Sequence, residues 1–278
     1  MPDLHKLKRI VTGTVQAFKS KRLVPIVSEK DKDLLKDKVA LITGGSGGIG
    51  FAIAQELNKS GCNVIIAGTN EKKLNVFSQK LNGAKHVKIN LSSIDSIRQG
   101  VADAIACYGR IDILVNSAGV HSKKVFNNFL DVEEEGYDHI LDINLKGTYF
   151  VTQAVAKDMV NKKIHGHILN ISSSTGNEPG WSPYRLSKWG VKAMTLGFAQ
   201  QLQPYGIIVN GIAPGSTATP LLGFKDGDSL YTQDNGNHRL TMPSEIAQYA
   251  KMMVSDMGNM IVGDMLYISG GRGTVDIR

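Results

Sequence analysis

Cysteine is nearly absent. Cys62 and Cys107 are the two in 278 residues; they stand far apart and match no metal or redox spacing, which leaves ordinary reduced thiols and no disulfide framework. Long apolar runs are missing too. No stretch approaches the about 20 residues that a membrane-spanning helix needs, and the first residues lack a signal peptide's apolar core, so a cytoplasmic protein is expected. There is no internal repeat at solenoid periods and no low-complexity tract. No G-x-S-x-G elbow follows a strand, which removes one large class of hydrolases. His165 and His167 form a close pair without a third ligand near in sequence, so no metal site is expected.

What is present is ordinary for a folded chain: 42% apolar and 21% charged residues, with a mean hydropathy of −0.11. The net charge of +7 raises the question of a nucleic-acid or membrane surface. Much of the excess lies at the front, where Lys6, Lys8, Arg9, Lys19, Lys21, Arg22 and Lys30 face only Asp3 and Glu29. The remainder is close to balanced, which argues against a nucleic-acid partner. Leu4, Leu7, Val11, Val15 and Phe18 recur at helical spacing, so residues 4–22 read as a basic amphipathic helix ending before Pro25. Docking on its own domain or a neighbouring subunit is the leading role for this helix, and weak contact with an anionic surface is the alternative. The charged run SEKDKDLLKDK reads as a solvated linker, giving an extension over 1–36 and one domain over 37–278.

From residue 38 the pattern changes to short apolar runs separated by helix-like stretches. KVALITG, NVIIAG, KHVKIN, IDILVNSAG, GHILNISS, IIVNGIAPG and MLYISGG each read as a buried strand. Near-continuous Val/Ile/Leu runs suit strands covered on both faces, the habit of a parallel sheet. The expected fold is a doubly wound α/β sheet of about seven strands, a Rossmann fold.

The first strand runs into TGGSGGIGFAIAQEL, a glycine turn that opens directly into a helix. Glycines let the backbone approach a pyrophosphate, whose charge is attracted by the free N–H groups at the helix start. Two registers overlap: Gly45, Gly47 and Gly50 give G-x-G-x-x-G, while Thr43, Gly44, Gly48 and Gly50 give T-G-x-x-x-G-x-G. The second register resembles the short-chain dehydrogenase/reductase family. Asn116-Ser117-Ala118-Gly119, Asn144, the Ser173 segment, Tyr184-x-x-x-Lys188, Pro214-Gly215 and Gly270-Gly271 continue the resemblance, which runs from about residue 38 to 271. It points to the branch of 3-oxoacyl-carrier-protein reductases and glucose dehydrogenases.

That resemblance implies a nicotinamide cofactor held by Gly44, Ser46, Gly48, Ile49, Gly50, Thr69, Asn70, Asn90, Leu91, Asn116, Ala118, Gly119, Tyr184, Lys188, Pro214, Gly215, Thr217 and Thr219. NAD is usually marked by an acid at the end of the second strand, and NADP by positive charge there. AGTNEKK, residues 67–73, has neither at its first positions: Gly68 stands for the acid and Thr69 for the arginine. Without the acid, Thr69, Asn70 and Lys72 or Lys73 could meet a 2′-phosphate, so NADP is preferred, with NAD open.

Tyr184 and Lys188 share one helix face at i and i+4. A phenol titrates near pH 10 when unperturbed, and a neighbouring ammonium would favour the phenolate. The resemblance makes Tyr184 the proton donor in carbonyl reduction or acceptor in alcohol oxidation, and gives Lys188 the nicotinamide ribose. Ser173 would hold the carbonyl oxygen, with Ser172 and Ser174 as competing registers. Asn144 would hold a water linking Lys188 to solvent. Residues 221–242 are polar and loop-like, and in the family this region closes over a small carbonyl or alcohol substrate. A homotetramer or homodimer is also implied. A sugar-nucleotide epimerase or dehydratase, and a catalytically silent cofactor sensor, are the rival functions.

Overall fold

The computed structural model describes residues 33–121 and 128–275, so the basic helix expected over 4–22 lies outside the described residues. About seven strands were expected, and the described residues form seven: β1 (Val39–Thr43), β2 (Asn63–Gly68), β3 (Lys85–Lys88), β4 (Ile113–Asn116), β5 (His167–Ile171), β6 (Ile208–Pro214) and β7 (Met265–Ile268). They pair in the order β3-β2-β1-β4-β5-β6-β7, and every pair is parallel. Parallel neighbours require crossovers. The helices α1 (Gly48–Lys59), α2 (Glu71–Ser78), α3 (Ile94–Tyr108), α4 (Glu134–Leu141), α5 (Thr148–Asn161), α6 (Pro183–Leu202) and α7 (Pro243–Met253) lie between them.

The apolar runs follow from burial on both faces. Along β1, Ala40 and Ile42 join one core with Ile53 and Leu57 of α1 and with Ile246 and Ala250 of α7. Val39 and Leu41 point the other way, into a second core with Ile97 and Val101 of α3 and Val151 and Val155 of α5. Side chains alternate across a strand, so a strand sandwiched between two helical layers must be apolar at every position. Leu35 departs from the sequence reading. It falls in the stretch read as solvated linker, yet it is buried in the first core, and its N–H donates to the Ser60 carbonyl at 2.9 Å. Charged neighbours hid a single apolar anchor.

The order reverses beside β1, with β2 on one side and β4 on the other. Strand ends diverge at such a switch point and leave a crevice at their carboxyl edge, where doubly wound folds take ligands. Between α4 and α5, Asp142–Gly147 forms a π-helical segment that carries Asn144. This local widening turns Asn144 inward, where it is buried.

Candidate active site

The crevice is a cavity of about 1100 Å³ at the carboxyl ends of β1, β2, β3 and β4. Gly44 makes the tight turn after β1. Its φ is +65°, and a Cβ there would stand 2.7 Å from the Ala118 Cα, so only glycine lets the loop after β1 approach the loop after β4. Gly50 packs α1 against the Gly44 carbonyl, leaving no room for a side chain. The first turn of α1 has Gly47 as its N-cap, no side-chain cap and no acidic residue. Its N–H groups therefore face the cavity unspent, which suits the pyrophosphate of a dinucleotide.

Of the expected cofactor residues, Gly44, Ser46, Gly48, Ile49, Gly50, Thr69, Asn70, Asn90, Leu91, Ala118, Gly119 and Thr219 line this cavity. Asn116 does not. Its amide donates to Thr152 Oγ1 and Asn170 Oδ1, both at 2.9 Å, which ties β4 to α5 and β5 in the interior instead of reaching the crevice. A buried polar side chain on a central strand needs partners of its own, and the Asn116 amide nitrogen finds two there. Asn70 is partly spent as well: its side-chain oxygen caps α2 by accepting the Lys73 N–H at 2.9 Å. The Asn90 oxygen accepts both the N–H and the hydroxyl of Ser92.

A second cavity, of about 260 Å³, adjoins the first. Ile49, Thr219 and Leu221 line both. Here stand Ser173, after β5, and Tyr184, in the first turn of α6 beyond the Ser182 cap. Pro214, Gly215 and Thr217 line this cavity and not the larger one. The three serines separate by environment. Ser172 is buried with its hydroxyl donated to the Lys188 carbonyl, and Ser174 is buried, whereas Ser173 hydrogen-bonds the Tyr184 phenol. The Ser173 oxygen also accepts from the Thr175 N–H and hydroxyl, which fixes its orientation.

Electrostatics at the phenol differ from the sequence reading. Burial pushes Tyr184 above its ordinary pKa; the Ser173 hydrogen bond and the positive charge of Arg272 pull the other way. Lys188 was expected to supply that charge. Its ammonium stands 5.7 Å from the centre of the Tyr184 ring and donates to the Ile171 carbonyl at 2.9 Å, and burial brings its pKa down to about 8. It lies below Gly119, where a Cβ would be 3.6 Å from the Lys188 nitrogen and 3.4 Å from Asn144 Oδ1. Asn144 itself clamps Val120, accepting its N–H at 2.8 Å and donating to its carbonyl at 3.0 Å, with Ser187 as a third partner. No direct hydrogen bond joins it to Lys188. The His121 ring meets Tyr184 edge to face at 4.9 Å.

Arg272 went unnoticed in the sequence. It follows β7 within Gly270-Gly271-Arg272-Gly273, and a turn at the carboxyl edge of a strand beside the site was the available signal. Among the described residues there is no cluster of three or more His, Cys, Asp or Glu that could hold a metal ion, and no helix is long and apolar enough to cross a membrane.

A glycine loop at the switch point of a parallel sheet, opening into a pocket with a serine-bound tyrosine, defines a dinucleotide-dependent oxidoreductase. Residues 38–228 match the family model described as short chain dehydrogenase, and the chain belongs to that family. Oxidoreductase UcpA of Salmonella typhimurium is 35% identical over 259 residues, covering 85% of this chain and 95% of the relative. The 3-oxoacyl-[acyl-carrier-protein] reductase FabG of Rickettsia bellii is 33% identical over 243 residues, covering 85% and 97%. Among solved structures, a 3-ketoacyl-(acyl-carrier-protein) reductase from Brucella melitensis complexed with NADH superposes with a TM-score of 0.76 at 30% identity, covering 86% of this chain and 99% of that one.

Proposed function

We propose that this enzyme moves a hydride between a nicotinamide and a small carbonyl compound or secondary alcohol, with Tyr184 as the proton donor or acceptor. The observation that carries this reading is the Ser173–Tyr184 hydrogen bond in a pocket that shares walls with the dinucleotide crevice. A nicotinamide held in the crevice would supply or receive the hydride. Ser173 holds the carbonyl oxygen, and the Tyr184 phenol gives it a proton as negative charge develops there. Lys188, fixed on the Ile171 carbonyl, would hold the nicotinamide ribose, and Asn144 would hold the water that links it to solvent. Replacing Tyr184→Phe should abolish most turnover and leave cofactor affinity within about threefold. Full activity in that variant would overturn the assignment.

NADP is the preferred cofactor. Among the described residues no Asp or Glu lines the crevice, and Lys73 does, near Gly68, Thr69 and Asn70. A carboxylate at the end of β2 would repel a 2′-phosphate, and Gly68 offers none. Comparing kcat/KM for the two cofactors tests this; a tenfold preference for NAD would reverse it. We also propose a homodimer or homotetramer, because Tyr149, Leu196 and Tyr205 stay exposed on or beside α5 and α6. Light scattering that returned only a monomer would defeat this.

A further inference from the structure

The smaller cavity has a charge pattern that a plain ketone does not need. Its walls include Arg185 and Arg272, and among the described residues neither an aspartate nor a glutamate lines it. The carboxylates that steady these arginines stand behind the wall. Glu178 is shared by both: its Oε1 accepts from Arg272 Nε at 2.8 Å, and its Oε2 lies 3.4 Å from Arg185 Nη2. Asp234, half-exposed, lies at 3.5 Å from Arg272 Nη1, and that nitrogen donates to Ser216 Oγ at 3.3 Å. Arg272 is thus gripped through Nε and Nη1, while its Nη2 makes none of these bonds. Glu178 and Asp234 together offset the two guanidinium charges, and neither is among the residues of the cavity wall, where Arg185 and Arg272 stand with Ser173 and Tyr184.

The grip also fixes position. Gly273 packs on the Ser174 carbonyl, and its own carbonyl accepts from Asn177 Nδ2 at 2.5 Å. These contacts seat the segment after β7 on the 3₁₀ turn Ser174–Asn177, which Ser173 caps. A guanidinium held on two sides loses little freedom when it meets a third partner, and its planar fork matches a carboxylate. The cavity is small, about 260 Å³ against about 1100 Å³ for the crevice, which favours a small substrate.

We propose that the substrate is a small oxo acid or hydroxy acid, whose carboxylate is received by Arg272 while its carbonyl or alcohol faces Ser173 and Tyr184. This inference rests on the oxidoreductase reading above and narrows its substrate class. Arg272 here is a specificity-determining residue.

The test uses matched pairs of four- to six-carbon 2-oxo and 3-oxo acids and their uncharged primary amides, assayed with NADPH and NADH. Wild type is expected to favour the acid over the amide by tenfold or more in kcat/KM. In Arg272→Gln that ratio should fall toward one, and Arg272→Lys should restore part of it; thermal unfolding of each variant checks that it is folded. Thermal shift by acid and amide, read on the cofactor-loaded protein, gives selectivity without turnover. An amide used as well as the acid by wild type, or acid selectivity that survives Arg272→Gln, overturns the inference and leaves the oxidoreductase reading intact. Selective, Arg272-dependent binding of the acid with no turnover of any ketone by wild type would overturn the oxidoreductase reading and keep the anion site.

Discussion

Lys188 carries its charge where water hardly reaches, and the consequence is measurable. Burial lowers its pKa from 10.5 to about 8, so between those values the unfolded chain binds more protons than the folded one. Stability contributed by this residue therefore rises with pH across that window, and below about pH 8 its desolvation cost is fully present. Relative to Lys188→Met, wild type should gain thermal stability between about pH 8 and about pH 10; denaturation scans of both proteins check the sign. Tyr184 acts in the complementary direction. A phenol held above its ordinary pKa stays protonated at neutrality, ready to donate, so ketone reduction should be flat near neutral pH. Alcohol oxidation, which needs the phenolate, should accelerate toward alkaline pH, and pH profiles of kcat/KM in the two directions distinguish these cases. Gly44→Ala should weaken both cofactor binding and folding, by roughly 1–3 kcal/mol for the left-handed backbone alone, with the approach to Ala118 adding to it. Cys62, buried and pushed up to about 12, should react with a thiol reagent at neutral pH only when the chain unfolds.

At the scale of elements, the segment before α7 depends on one carboxylate. Glu245 accepts the Met242 N–H at 2.8 Å at the start of α7 and receives both terminal nitrogens of Arg239, at 2.6 and 2.7 Å. Its pKa is lowered, first by the Arg239 hydrogen bond. Glu245→Gln should cost on the order of 1–3 kcal/mol and increase proteolytic nicking of residues 225–240, while its effect should shrink as acid protonates wild type. How far such detail was legible varies by element. The strands could be read because burial on both faces writes an unbroken apolar run. The glycine loop was readable because Gly44 and Gly50 answer to steric demands that no other residue meets. Asn116, Asn144 and Arg272 were harder: whether a polar side chain faces a crevice or a buried partner depends on elements distant in sequence. Asn116 finds Thr152 and Asn170, and Arg272 finds Glu178. No local pattern encodes those pairings. Leu35 was missed for a related reason, since its charged neighbours dominate the reading of a window that contains one buried anchor.

At the scale of the whole molecule, the crevice joins loops from β1, β2, β3 and β4, so a ligand that fills it ties down the carboxyl edge of half the sheet. Saturating dinucleotide should raise the unfolding midpoint, by about 2.7 kcal/mol equivalent at a hundredfold excess over Kd, and NADPH should raise it more than NADH. The strand order has a further consequence, for how the chain is built during synthesis. β1, the first of the described strands to emerge, ends at the switch point, with an edge open on either side. β2 and then β3 extend one edge, and β4 through β7 extend the other in turn. Each new strand therefore joins a growing margin, and none has to be inserted between two that are already paired.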